Sequence, residues 1–304
     1  MRDLTRRDFM RGAAAAGATL AAGLPAGAQE GAMDRSHPAD ALGFGTVTYD
    51  IAKGLDLETL IRVAEDVGLD AVELRTTHAH GVEPDLSAAE RAEVRARFEA
   101  SPVALAALGS VCEFHSPDSA EVARNIEETK RFIQLAQDVG ARGVKVRPNG
   151  LPEGVPVERT LEQIGEALNV VGPAAADSGV MIYVEVHGGG TQEPRNMARI
   201  MEVCEHPAVG LTWNCNDADM IDGSIRENFD LLRPRIRMVH LHELVSDYPY
   251  REELLPYLLD PAMGFDGYCL AEAEGLGDPA RFLRYYKALF RSWAREAYDA
   301  VPRG

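Results

Sequence analysis

Four apolar stretches of this chain end in polar residues spaced two apart: Glu185 and His187 in VMIYVEVHGGG, Asn214 and Asn216 in VGLTWNCND, His240 and His242 in IRMVHLHEL, and Glu272 and Glu274 in GYCLAEAEG. Each stretch reads as a buried β-strand, and strand side chains alternate between faces, so the two members of a pair point the same way. Tyr183 lies deeper on the face that carries Glu185. One such pair is what any strand shows where it frays into a solvated loop. Four of them, each at the end of its strand, place their side chains around one site. Glu185, His240 and Glu272 make an oxygen and nitrogen set suited to one divalent cation, Mn²⁺, Mg²⁺, Co²⁺ or Zn²⁺, with the carboxylates favouring the harder ions. Cys112, Cys204, Cys215 and Cys269 have no CxxC spacing and read as buried free thiols, which argues against a soft-metal site.

These strands need a scaffold that brings their ends together, and the rest of the chain supplies its rhythm. LGFGTVTY reads as a first strand, followed by apolar residues at helical spacing over Leu57–Val67 and a glycine stop at Gly68. AVELRTTHAHG is a second strand, Ser87–Glu99 a helix with Ser87 as N-cap and Glu90 three residues on. VALAALGSVCEFH, the helix Ser119–Val139 and its stop at Gly140 come next, then GVKVRPNG and the helix Val157–Ser178. The helices Pro194–Cys204 and Ser224–Leu232, a short helical piece around Arg251–Leu259 and a last helix over Pro279–Ala297 follow the remaining strands. Eight strand and helix units with short links predict an α/β fold, a single-domain (β/α)₈ TIM barrel over residues 42–300. The rival, a doubly wound open sheet, lacks the GxGxxG turn after its first strand. In a barrel the C-terminal strand ends share one mouth, where the polar pairs meet.

The Glu of VEVHGG, the His of MVHLHE and the Glu of GFDGYCLAE together resemble the sugar phosphate isomerase/epimerase family, the xylose isomerase-like TIM barrels, over roughly residues 42–297. The resemblance implies one divalent metal held by Glu185, by the position of Asn214, by His240 and by Glu272. It also implies that Glu185 and Glu272 exchange protons with substrate carbons. Asn214 departs from the family, which has Asp there, and Asp217 or Asp219 is the alternative ligand. Isomerisation and epimerisation of sugars remove a proton next to a carbonyl, and a metal neutralises the enediolate that results. Lys145 and Arg147, which share a strand face, could supply positive charge to substrate oxygens or pair with nearby acids; His187 and His242 are candidate hydrogen-bonders to substrate. His78, His80 and His115 end the second and third strands, where abasic-site endonucleases of the same superfamily hold a zinc cluster.

Composition narrows the partners. The formal net charge is −17, with no run of Lys or Arg, which disfavours nucleic acid and anionic membrane surfaces. Thr5–Arg11, TRRDFMR, precedes an Ala/Gly-rich run and Ala26-Gly27-Ala28, a pattern that resembles a twin-arginine export signal cleaved after Ala28. Residues 29–41 then read as a flexible leader. The expected protein is periplasmic, without a stable membrane anchor and compatible with a homo-oligomer, and it acts as a metal-dependent isomerase or epimerase on a free sugar or keto-sugar. A keto-glycoside lyase or hydrolase uses the same proton abstraction, and a non-catalytic carbohydrate-binding barrel would keep the pocket without the metal. One prediction turns on the departure from the family. Asn214→Asp should tighten metal binding and Asn214→Ala weaken it, read by calorimetric titration of metal-stripped protein with Mn²⁺. Wild-type affinity in both variants would transfer the ligand role to Asp217 or Asp219.

Overall fold

In the computed structural model, which describes residues 37–274 and 277–300, eight parallel strands close into a barrel. They are β1 (Gly43–Val47), β2 (Ala71–Arg75), β3 (Ala104–Gly109), β4 (Gly143–Val146), β5 (Met181–Glu185), β6 (Val209–Trp213), β7 (Ile236–Leu241) and β8 (Tyr268–Ala271). Each pairs with its neighbours in the chain, and β8 closes against β1 with Gly43 opposite Tyr268 and Thr46 opposite Ala271. The helices α1 (Leu57–Val67), α2 (Ala88–Glu99), α3 (Ser119–Val139), α4 (Val157–Asp177), α5 (Pro194–Val203), α6 (Arg226–Leu232), α7 (Leu255–Leu259) and α8 (Pro279–Ala300) alternate with them. A π-helical turn, Tyr250–Leu254, leads into α7. The (β/α)₈ barrel expected from the alternation is therefore the fold.

Local chemistry sets the element ends. Gly68 and Gly140 take left-handed φ values of 73° and 79° after α1 and α3, a conformation that costs glycine no side-chain clash. Ser87 and Glu90 form a reciprocal capping box at the start of α2. Helix α6 begins at Arg226 rather than Ser224, because the Ser224 hydroxyl is engaged by the Glu253 carboxylate at 2.8 Å.

Two layers bury the apolar residues. The larger core lies between the sheet and the helices, with Phe44, Leu135, Leu168, Trp213 and Phe290 among its fully buried members. A smaller one fills the barrel interior with Val47, Ala71, Ala107, Tyr183, Met238 and Leu270. The last helix ties back to the first: Lys287 Nζ donates to the carbonyls of Val67 and Gly68 at 2.9 and 2.6 Å, and Arg291 bonds the Asp70 carboxylate at 2.8 Å.

The export signal expected at residues 1–28 lies outside the described residues, as does most of the leader expected at 29–41. The end of that leader is structured. Pro38–Ala41 forms a 3₁₀ turn in which Asp40 is buried and bonded to Arg295 at 2.8 Å. Periodicity gives no sign of this turn because long-range contacts to the last helix hold it, among them the ion pairs Asp40–Arg295 and His37–Asp299, not a repeating apolar face.

Close strand approach is required where the barrel seam passes Gly45. A Cβ there would stand 2.1 Å from the Ala71 carbonyl oxygen and 2.8 Å from Leu270 Cδ2. Gly45→Ala should lower unfolding stability by about 2–3 kcal/mol or more, measured by urea denaturation. An unchanged midpoint would mean that β1 and β2 part there without strain.

Candidate active site

Alternation along the strands stacks a polar layer directly on the apolar filling of the barrel. Ala71, Tyr183, Met238 and Leu270 belong to the inner apolar cluster, and the residues two positions on are Glu73, Glu185, His240 and Glu272. Gly143 leaves room for Tyr183, and two residues beyond it comes Lys145. One ligand atom each from Glu185, His240 and Glu272 lies within 4.8 Å of the others, and among the described residues no second group of this kind occurs.

The groups are held by one another. Lys145 Nζ donates to Glu185 Oε2 at 2.6 Å, with both side chains buried. His240, fully buried, faces Glu73 through Nε2 at 3.2 Å and turns Nδ1 toward Glu185 and Glu272 at 3.4 and 3.3 Å. Nδ1 makes no hydrogen bond at those distances. In the neutral ring, a proton on Nε2 for Glu73 leaves the Nδ1 lone pair on the side of the two carboxylates, where a cation would complete it. Burial alone would raise the Glu185 pKa, but the Lys145 ammonium and His240 overcome it and hold the carboxyl down to about 2. Burial likewise opposes ionisation of Glu272, and His240 and His242 hold it well below the usual range. For His240 burial favours the neutral ring, while Glu73 and Glu272 raise its pKa well above the ordinary value.

This donor set fits a divalent cation. Two carboxylates, Glu185 and Glu272, converge with a histidine nitrogen that lacks a hydrogen bond, and Asn214 Oδ1 is a further buried oxygen without a hydrogen-bond partner. Such atoms are costly to bury unless something positive completes them. Asp219, the alternative to Asn214, is engaged elsewhere: its Oδ2 accepts the Tyr248 hydroxyl at 2.9 Å and the Asn216 backbone N–H at 2.8 Å. Tyr248 in turn accepts from Trp213 Nε1 at 2.8 Å.

The site opens into a cavity of about 620 Å³ lined by Tyr49, Asp50, His187, Gln192, Asn214, Asn216, His242, Glu272 and Glu274. Members of all four polar pairs thus reach one cavity. Glu185 and His240 sit beneath it, whereas Glu272 is on its wall. Lys145 is directed at Glu185, and Arg147 at Glu113 at 2.9 Å, where Asn149 also bonds. His187 has its Nδ1 buried without a hydrogen-bond partner, and burial lowers its pKa. His78 bonds Thr48 at 2.8 Å, and His80 bonds the Arg75 carbonyl at 2.8 Å. Glu73 escaped the reading of strand ends: it is a lone acid inside AVELR, and its partner is 167 residues away. A charged residue on the inward face of an otherwise apolar strand was the available signal.

The profile of the xylose isomerase-like TIM barrel family matches residues 61–284, and the chain belongs to that family. Among solved structures it is similar to a 3-keto-D-glucoside 4-epimerase from E. coli in its apo form, at 15% identity and a TM-score of 0.69, covering 83% of this chain and 99% of that one. An L-ribulose 3-epimerase aligns at 16% identity and a TM-score of 0.71, covering 85% and 96% of the two chains. A xylose isomerase-like TIM barrel protein from Mycobacterium smegmatis in complex with magnesium aligns at 15% identity and a TM-score of 0.62, covering 86% and 99%. No curated protein sequence matches the chain. At these identities the structures establish a shared fold.

Two predictions follow from the groups behind the cavity. Removing the acceptor of His240 Nε2 in Glu73→Ala should weaken Mn²⁺ binding by about 10- to 100-fold, seen in titration of metal-stripped protein. Equal affinity would show that the ring keeps its orientation without Glu73. Burial pushes Asp219 up from 3.8 to about 7, so the folded chain keeps this proton longer than the unfolded chain does. Stability contributed by Asp219 therefore falls as pH rises through that interval and is level above it. Asp219→Asn, which still accepts from Tyr248 and Asn216, should raise the melting temperature more at pH 8 than at pH 4; a pH-independent difference would contradict the shift.

Proposed function

We propose that the protein is an exported, metal-dependent sugar isomerase or epimerase that moves a proton at a carbon beside a carbonyl of an uncharged sugar or keto-sugar. The observation that carries this reading is Glu272, a carboxylate on the cavity wall, backed by the buried Glu185, His240 and Lys145. Family membership and the fold shared with two sugar epimerases support it. The export signal resembled by residues 1–28 supports an extracytoplasmic location.

The cavity wall is suited to hydroxyls rather than phosphate. Asp50, Glu272 and Glu274 line it, and among the described residues no Lys or Arg does, so a phosphosugar would meet negative charge. His187, Gln192, Asn216 and His242 offer hydrogen bonds to sugar oxygens, and Tyr49, half-exposed at the rim, offers a ring face for stacking. Glu185, Asn214, His240 and Glu272 would hold the cation, whose positive charge polarises the substrate carbonyl. Glu272 is placed to take the proton from the carbon. Glu185, hydrogen-bonded to Lys145, would be the second carboxylate of the exchange.

Turnover of ketoses and 3-keto-sugars with Mn²⁺, Mg²⁺ and Co²⁺ in deuterated water tests this directly. Solvent deuterium should enter the product at one carbon, and the product should have otherwise unchanged mass. A released aglycone would instead mean elimination from a keto-glycoside. No turnover and no deuterium uptake on any substrate, together with no stoichiometric metal, would favour a binding barrel. Glu272→Gln should cost at least about 10²–10⁴-fold in turnover while circular dichroism stays unchanged.

A further inference from the structure

An amide at position 214 raises a question that a carboxylate would not. Both ends of a carboxylate are oxygen; an amide presents oxygen only one way round, and the two orientations have nearly the same shape. Glu272 lines the same cavity as Asn214, and a carboxylate draws an amide N–H by a charge-assisted hydrogen bond. Such a neighbour favours Nδ2, not Oδ1, toward the cavity.

The chain holds the amide the other way. The Val186 backbone carbonyl can only accept, and Asn216 Nδ2 donates to it at 2.7 Å. Asn216 Oδ1 is thereby turned to Asn214, whose Nδ2 donates to it across a long 3.4 Å contact. What remains of Asn214 is Oδ1, buried and without a hydrogen-bond partner, on a residue that lines the cavity beside Glu272. We propose that Asn216 is a positioning residue: anchored on the Val186 carbonyl, it fixes the polarity of the Asn214 amide so that oxygen, not nitrogen, serves the metal centre. The proposal rests on reading Glu185, Asn214, His240 and Glu272 as a metal site.

The loop around Asn216 does not need this side chain. Its backbone N–H bonds Asp219 Oδ2 at 2.8 Å, and its carbonyl accepts from the Asp219 N–H at 3.0 Å. Asn216→Ala therefore removes the anchor and leaves the turn held.

The test is calorimetric titration of the metal-stripped full chain with Mn²⁺ alone, in two backgrounds, with melting temperatures as the control for folding. With Asn214 present, Asn216→Ala should raise the dissociation constant by about 10- to 100-fold, the range seen when an orienting partner of a ligand is lost. In the Asn214→Asp background, where either end is oxygen, the same change should leave the constant unaltered. If Asn216→Ala does not fold, Asn216→Ser, too short to reach Asn214, carries the same comparison. Equal losses in both backgrounds, or none in either, overturn the proposal. Glu272→Gln separates the two failures: if it leaves Mn²⁺ binding unchanged, the metal site itself falls. If it weakens binding while Asn216→Ala does not, only the role of Asn216 falls.

Discussion

Five ionisable side chains, Glu73, Lys145, Glu185, His240 and Glu272, are packed at the inner end of a barrel whose floor is apolar. Removing any one such charge from water costs several kcal/mol unless partners repay it. The rest of the site follows from that constraint. Lys145 must face Glu185, and His240 must face Glu73 on one side and two carboxylates on the other. Three acids against one ammonium and one imidazole leave the cluster short of positive charge, a balance that suits a cation. Polarity then grades outward, from fully buried Glu73 and His240 to Glu272 on the wall and Glu274 at the exposed rim.

The same arrangement bears on the proposal that Asn214, a neutral residue, serves as a ligand. Lys145 already offsets one of the acids, so the centre is held by less negative charge than its carboxylates alone imply. An ion bound there would keep more of its own field for the substrate, at the expense of affinity. On that proposal orientation would do what charge does not, through the hydrogen bonds that link Val186, Asn216 and Asn214.

Much of this was legible in the sequence where local chemistry decides. Gly68 and Gly140 mark helix ends because left-handed backbone favours glycine, and the Ser87 and Glu90 spacing marks a helix start. Strand alternation placed Glu185, His240 and Glu272 on one face of their strands, and barrel closure brought them together. Partnerships that cross the barrel were not legible. Glu73 gains meaning only when β2 and β7 face each other across the interior, and Asp40 only when α8 brings Arg295 to it. Lys145 and Arg147, neighbours on one strand, part company: the first is sealed against Glu185 and the second lies with Glu113. Sequence offers both as cations of one face, and only the positions of the acids separate them.

Closure of the barrel between β1 and β8 also imposes an order on how the molecule comes into being. Gly43 pairs with Tyr268, so the first strand to leave the ribosome must wait for the last. Glu272 follows that last strand, and α8, which clamps α1 through Lys287, comes later still. Pairings so distant in sequence incur their loop-closure entropy before any contact compensates it. Until β8 inserts, His240 lacks Glu272 and the cavity lacks a wall. During synthesis the nascent chain must therefore hold together without its closing strand, and the charged cluster is completed only when β8 joins β1.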